Sequence, residues 1–121
     1  MDSTYILNEM HIKCENITGK KLPEPRSNYA SVLLDDGIII HGGQQVVKGK
    51  PKFLSEFLYL DISASQWRKV FLLDAPKPRE SHALARLNKD LYLYGGVSKS
   101  ATTTTVFDDF WRFDFENVQW Q

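Results

Sequence analysis

Few residues of this chain have types and spacing that invite a catalytic reading. His41-Gly42-Gly43 follows the aliphatic run Ile38-Ile39-Ile40. An esterase builds its oxyanion loop this way, with a buried strand running into glycines. That chemistry also needs a serine on a Gly-x-Ser-x-Gly elbow, and the sequence contains none. The three histidines, His11, His41 and His82, lie thirty or more residues apart, whereas metal ligands usually come as short-spaced pairs. Arg26 and Arg79 have the character of anion-reading groups. Lys48, Lys50 and Lys52 form a basic cluster that suits an acidic segment, although a solvated loop is the simpler account of it. Thr102–Thr105 offers hydroxyls for phosphorylation with no supporting flank. Asn16-Ile17-Thr18 is a glycosylation acceptor only on a secretory route. The residues therefore lead us to expect no catalytic group, no metal and no cofactor.

The bulk properties narrow the field further. With 121 residues, 42% of them hydrophobic, the chain has the material for one small core. Fifteen basic and fifteen acidic residues cancel, which leaves no electrostatic footprint for nucleic acid. A lone Cys14 excludes an internal disulfide and a multi-cysteine cluster. The opening residues lack a basic segment followed by an apolar run, so they do not read as a signal peptide. No apolar stretch has the length of a membrane span. The cytoplasm is the expected setting, with the nucleus left open, and a secretory route stays open if the chain is part of a longer protein.

The elements that must position these residues show themselves through self-similarity. Shifting the sequence by 53 positions aligns Lys21–Arg68 with Asp74–Gln121, giving eleven identities in 48 pairs without a gap. Ordinary composition would give roughly three. Pro23, Pro25 and Arg26 fall on Pro76, Pro78 and Arg79. Gly42-Gly43 falls on Gly95-Gly96, Phe57 on Phe110, Asp61 on Asp114 and Trp67 on Trp120. A fixed period of this length means stacked supersecondary units that cannot each bury a hydrophobic face alone.

Each period reads in the same order. A Pro-Arg turn starts a strand over 29–34 and again over 82–87. A polar turn, Asp35-Asp36-Gly37 or Asn88-Lys89-Asp90, folds the chain into a second, more hydrophobic strand over 38–41 and 91–94. The repeated glycine pair then imposes a backbone demand, and loops follow at 44–55 and 97–108. A third strand closes on Asp at 57–61 and 110–114, and a fourth starts at Trp67 and Trp120. Four short antiparallel strands per period describe a propeller blade, so the expected fold is all-β with an incomplete ring. The expected organisation is residues 1–20 as the last two strands of a preceding blade, 21–73 as a full repeat, and 74–121 as a repeat truncated in its last strand. What recurs in register, Arg26 and Arg79 included, is expected to hold the blade together.

Pro-x-Pro-Arg, His82, Gly95-Gly96, the string Asp109-Phe110-Trp111-Arg112-Phe113-Asp114 and Trp120 together resemble the kelch repeat. The likeness covers essentially the whole chain. The first copy departs from it with Tyr29 in place of His and His41 in place of an aromatic residue. Within the family, the long loops and the Asp-Phe-Trp-Arg-Phe-Asp string look like the longer-repeat proteins, of host-cell-factor-like, leucine-zipper-regulator-like, F-box-kelch and kelch-phosphatase types. The resemblance implies a β-propeller that binds another protein. It makes Arg26, Gly42, Gly43, Trp67, Arg79, His82, Gly95, Gly96 and Trp120 structural. It also implies a docking face comprising Ser27, Asn28, Gln44, Gln45 and Lys48 from one blade, with Glu80, Ser81, Ser98 and Lys99 from the next.

A closed ring needs four to eight blades, or roughly 300 residues, so the chain is expected to be part of a longer protein or to self-associate through its open blade edges. The primary expectation is a non-catalytic protein-interaction module that contacts neither nucleic acid nor membrane. The alternatives are the propeller part of a kelch-type phosphatase or galactose-oxidase-like oxidase, or the substrate receptor of a ubiquitin ligase.

Overall fold

The computed structural model describes residues 14–16, 23–72, 74–114 and 119–121. All the described elements are strands, joined by turns. In chain order they are β1 (Cys14–Asn16), β2 (Ala30–Leu33), β3 (Gly37–His41), β4 (Gln44–Val47), β5 (Lys50–Phe53), β6 (Phe57–Asp61) and β7 (Gln66–Val70). There follow β8 (Ala83–Leu87), β9 (Asp90–Tyr94), β10 (Val97–Lys99), β11 (Thr104–Val106), β12 (Phe110–Asp114) and β13 (Gln119–Trp120).

Two antiparallel sheets carry the fold. Blade 1 runs β2-β3-β6-β7 from one edge, and blade 2 runs β8-β9-β12-β13 in the same order. The register repeats as well: His41 pairs with Phe57 as Tyr94 pairs with Phe110, and Gly37 with Asp61 as Asp90 with Asp114. Leu34, Ile39, Phe57, Tyr59 and Val70 of blade 1 pack with Leu91 and Phe113 of blade 2, while Trp120 lies alongside. The principal core is thus the seam between the blades, as expected of units that cannot each bury a face alone.

Two sequence expectations need correction. Cys14–Asn16, which the repeat places in the outer strand of an earlier blade, instead pairs antiparallel with β7 and adds a fifth strand to blade 1. Edge strands offer a free row of amides and carbonyls, and β1 takes the one on β7. The rest of 1–20 lies outside the described residues. The loops at 44–55 and 97–108 are also more ordered than expected. Each contains a hairpin, β4–β5 and β10–β11. Lys48 and Gly49 both take positive φ, at 52° and 77°, and so supply the tight turn that suits two twisted strands. In β10–β11 the β-branched Thr104, Thr105 and Val106 favour extended backbone.

Candidate functional site

The edge that follows the glycine pairs is knitted from both blades. Ser27 and Gln44 exchange backbone hydrogen bonds of 3.0 and 2.9 Å, which attaches the first Pro-Arg turn to β4. Glu80 and Val97 do the same in blade 2, at 2.9 and 3.0 Å. Between blades, the Gly43 amide donates to the Arg79 carbonyl at 2.8 Å, and the Ser81 amide to the Asn28 carbonyl at 2.9 Å. Asn28 and Ser81 both sit at φ 58°, so this contact demands the same left-handed backbone from each repeat.

The glycines make this approach feasible. A Cβ on Gly43 would stand 2.7 Å from the Ser27 carbonyl oxygen, and one on Gly96 would stand 2.8 Å from that of Glu80. At Gly42 the obstruction comes from the next blade, where the Arg79 carbonyl oxygen would lie 2.6 Å away. Any side chain at these three positions would push the turn off the sheet.

Beneath this edge lies a buried polar layer. The Arg79 guanidinium is fully buried and grips the Asp109 carboxylate through two bonds of 2.5 and 2.9 Å. It also donates to the Gly95 carbonyl at 2.9 Å and stacks over the Phe107 ring at 3.8 Å. That hydrogen bonding holds Asp109 below the usual carboxylate range. One period earlier, Arg26 lies 2.6 Å from Glu56 in the corresponding ion pair. The acidic partners Glu56 and Asp109 are themselves 53 residues apart. The repeat register does carry them, as a Glu against an Asp, a match of charge without identity.

His41 and His82 meet across the seam, with Nδ1 of the first 2.8 Å from Nε2 of the second. Burial pushes His41 down to about 3, assisted by His82 and Arg79 and slightly opposed by the Ser55 backbone. Burial and then Arg79 push His82 down to about 4. Both rings are therefore neutral, one donating the shared hydrogen and the other accepting it. Among the described residues, no group of three or more His, Cys, Asp and Glu side chains is placed to hold a metal ion. His11 lies outside the described residues.

The residues expected to form the docking face have different fates. Lys48 and Lys99 are exposed on the two hairpins, with Gln45 and Ser98 half-buried on β4 and β10. Ser27, Asn28 and Ser81 are exposed on the turns, and Gln44 is half-buried at the base of β4. Glu80 must be removed from that face, because only 6% of it is exposed and its carboxylate accepts the Asn28 side-chain amide at 3.3 Å. Trp120 is packed against Phe57 of blade 1 and Phe113 of blade 2, with ring centroids 5.5 and 5.1 Å away. Trp67 is half-buried and pairs with Leu60 in blade 1.

Comparison with known proteins agrees with this architecture. Residues 2–121 match the family description KLHDC2/KLHL20/DRC7 Kelch-repeats domain. Kelch domain-containing protein 3 of Bos taurus is 25% identical over 100 residues, which cover 82% of this chain and 25% of that protein. N-acetylneuraminate epimerase of Yersinia enterocolitica is 35% identical over 65 residues, covering 50% of this chain and 16% of the enzyme. The solved structure of YjhT superposes with a TM-score of 0.59 at 21% identity, over 84% of this chain and 28% of that one, a likeness of fold alone. The chain spans from 2% to 25% of the length of the curated relatives it matches. Two sheets with one register, joined by a glycine-pair edge and matched along 2–121, place this chain in the kelch-repeat family as an incomplete β-propeller.

Proposed function

We propose that the chain binds another protein through the glycine-pair edge, using the outer surfaces of the β4–β5 and β10–β11 hairpins and the exposed turns at Ser27–Asn28 and Ser81. Kelch repeat domains are generally protein-interaction modules. One observation carries the finer reading. Both repeats anchor this edge by the same backbone bridges, Ser27 with Gln44 and Glu80 with Val97, yet the hairpins beyond them differ in turn length and in their exposed side chains, Lys48, Lys50 and Lys52 against Ala101, Thr103 and Thr105. A rigid frame that displays non-repeating side chains is how binding surfaces are built. The basic hairpin favours an acidic segment in the partner, and catalysis is no part of this reading.

Photo-crosslinking tests the face directly. A photoreactive residue at Lys48 or Lys99 is expected to capture the partner, whereas one at Lys89, in the turn between β8 and β9 at the opposite end of the sheet, is not. Capture from Lys89 alone would move the site to that end.

A second reading has one observation in its favour, the similarity to the epimerase. There the blades would serve as the scaffold of an enzyme whose reacting groups lie elsewhere. Crosslinks from Lys48 and Lys99 that reach only other segments of the same polypeptide would favour it.

A further inference from the structure

The positive charges of the chain divide into two groups. Each of its five arginines is paired with a carboxylate: Arg26 with Glu56, Arg68 with Asp61, Arg79 with Asp109, Arg86 with Asp35 and Arg112 with Asp90. Lys69 shares Glu56 with Arg26. Lys48, Lys50 and Lys52 make no ion pair among the described residues, and all three stand exposed on the β4–β5 hairpin.

Neighbouring blades leave this hairpin open. Leu54, just past β5, accepts the Arg79 amide at 3.2 Å, so β5 borders blade 2. Lys50, Pro51 and Lys52 are exposed with blade 2 in place. β10 is the counterpart of β4 and has blade 1 in place before it, yet Lys99 and Ser100 are exposed as well.

The Leu54 amide donates to the Gly43 carbonyl at 2.9 Å, which fixes the phase of the β4–β5 ladder. Main-chain groups alternate in direction along a strand, so Lys50 and Lys52 turn theirs toward β4 while Pro51 and Phe53 turn theirs outward. Pro51 has no amide to offer an added strand, a usual way of closing an edge. On β4 the outward amide and carbonyl of Gln44 are taken by Ser27. Main-chain pairing is thus obstructed at both edges, and a partner must read the hairpin through side chains.

Those side chains are sorted by face. The pairs Gln45–Lys52 and Val47–Lys50 place both lysines on one face, and the uncharged Gln44, Val46, Pro51 and Phe53 take the other. With about 3.3 Å of rise per residue, Lys50 and Lys52 are rooted roughly 6.6 Å apart. Every second residue of any other extended chain has the same spacing. In the other repeat Ser98 pairs with Thr105, and the 53-residue register sets Thr103 and Thr105 where Lys50 and Lys52 stand. That hairpin offers hydroxyls in place of charge.

Resting on the reading that this edge docks a protein, we propose that the lysine face of β4–β5 takes an extended acidic segment with carboxylates at alternate residues. Two successive carboxylates of that segment meet Lys50 and Lys52, and its main chain pairs with neither strand. The Lys48–Gly49 turn, with positive φ at both residues, holds the ribbon in the twist that keeps the lysines in line. A nucleic-acid strand suits this face less, because no aromatic ring lies on it for bases to stack against.

Titration of the isotope-labelled chain with two octapeptides, followed through the Lys50 and Lys52 amide resonances, tests the spacing. One peptide alternates Glu and Ser; the other, Glu-Glu-Ser-Ser repeated, carries the same charge but no carboxylates two residues apart. An exposed ion pair is worth a factor of up to about five, so the alternating peptide should bind about threefold more tightly. High salt should erase the difference. Lys50→Thr with Lys52→Thr, the residues the other repeat uses, should abolish the preference, and Lys89→Thr should keep it. Lys50→Glu with Lys52→Glu should transfer it to a peptide that alternates Lys and Ser. Equal affinity for the two acidic peptides, no binding of either, or a preference that survives the threonine pair overturns the proposal. Oligothymidylate bound as tightly as the alternating peptide overturns it in favour of a general polyanion site. The docking edge itself is tested separately: capture of a partner from Lys99 without any peptide preference keeps the edge and removes the lysine pair from it.

Discussion

Nδ1 of His41 and Nε2 of His82 lie 2.8 Å apart in the seam between the two blades, where both rings are buried and neutral. This bond needs one nitrogen that donates and one that accepts, so it survives only while at least one ring keeps a free lone pair. Protonating both would place two cations beside the buried Arg79 guanidinium.

The seam should therefore be acid-sensitive. Both histidines have folded values, about 3 and about 4, below the ordinary value of 6.5. The stability they contribute is complete above 6.5 and declines as pH falls through the window down to about 4 and then 3, because the unfolded chain takes up the proton first. The slope approaches about 1.4 kcal/mol per pH unit for each group that only the unfolded chain protonates. Urea melts between pH 7 and pH 4 should show the decline, and His82→Tyr, the residue the other repeat uses, should flatten it.

The Arg79–Asp109 pair should matter more than the Arg86–Asp35 pair. Asp109→Asn leaves a fully buried guanidinium short of its counter-charge. The expected loss is about 2 kcal/mol, below the figure for a wholly buried pair because Asp109 keeps some contact with water. Asp35 is exposed at the surface, and Asp35→Asn should leave the melting midpoint unchanged within error. Equal effects would mean that burial does not distinguish the two pairs.

Alanine at the two equivalent glycines should give unequal costs. Gly42 and Gly95 share φ 73°, so each substitution carries about 1 kcal/mol of backbone strain. Gly42→Ala must also displace the Arg79 carbonyl and should cost about 2 kcal/mol more. Chemical denaturation of both variants measures the difference.

Phe57 and Phe110 make a matching test of burial. Phe57→Ala empties a packed seam and should cost about 3–5 kcal/mol. Phe110→Ala should cost under about 1 kcal/mol, since most of that ring faces solvent. Urea melts of the two variants measure the difference.

Much of the fold is written in short-range signals. The alternation of Pro-Arg turn, hydrophobic strand, glycine pair and Asp-terminated strand is local, and it marks the eight blade strands to within two residues. The hairpins after the glycine pairs are less legible. Val46-Val47-Lys48-Gly49 carries a turn signal, but Lys48, Lys50 and Lys52 give it the composition of a solvated loop. The placement of β1 is not legible at all, because any short polar strand can take an open edge and only the competing edges decide which.

The sequence by itself determined the repeat, the blade and the family, because identical local demands on backbone and packing recur every 53 residues and leave the same residue types behind. It also separated what recurs from what varies, and so marked the edge that carries Lys48 and Lys99. Only the tertiary structure decided that His41 and His82, which are different positions of the repeat, are partners. The seam joins position 41 of one blade to position 82 of the next, across a sequence separation that no periodicity encodes. The same stacking decided that Phe57 is buried and Phe110 bare, and that Glu80 belongs inside rather than on the proposed docking face. Burial is set by what stands opposite a residue, and the residue's own type and register do not specify it.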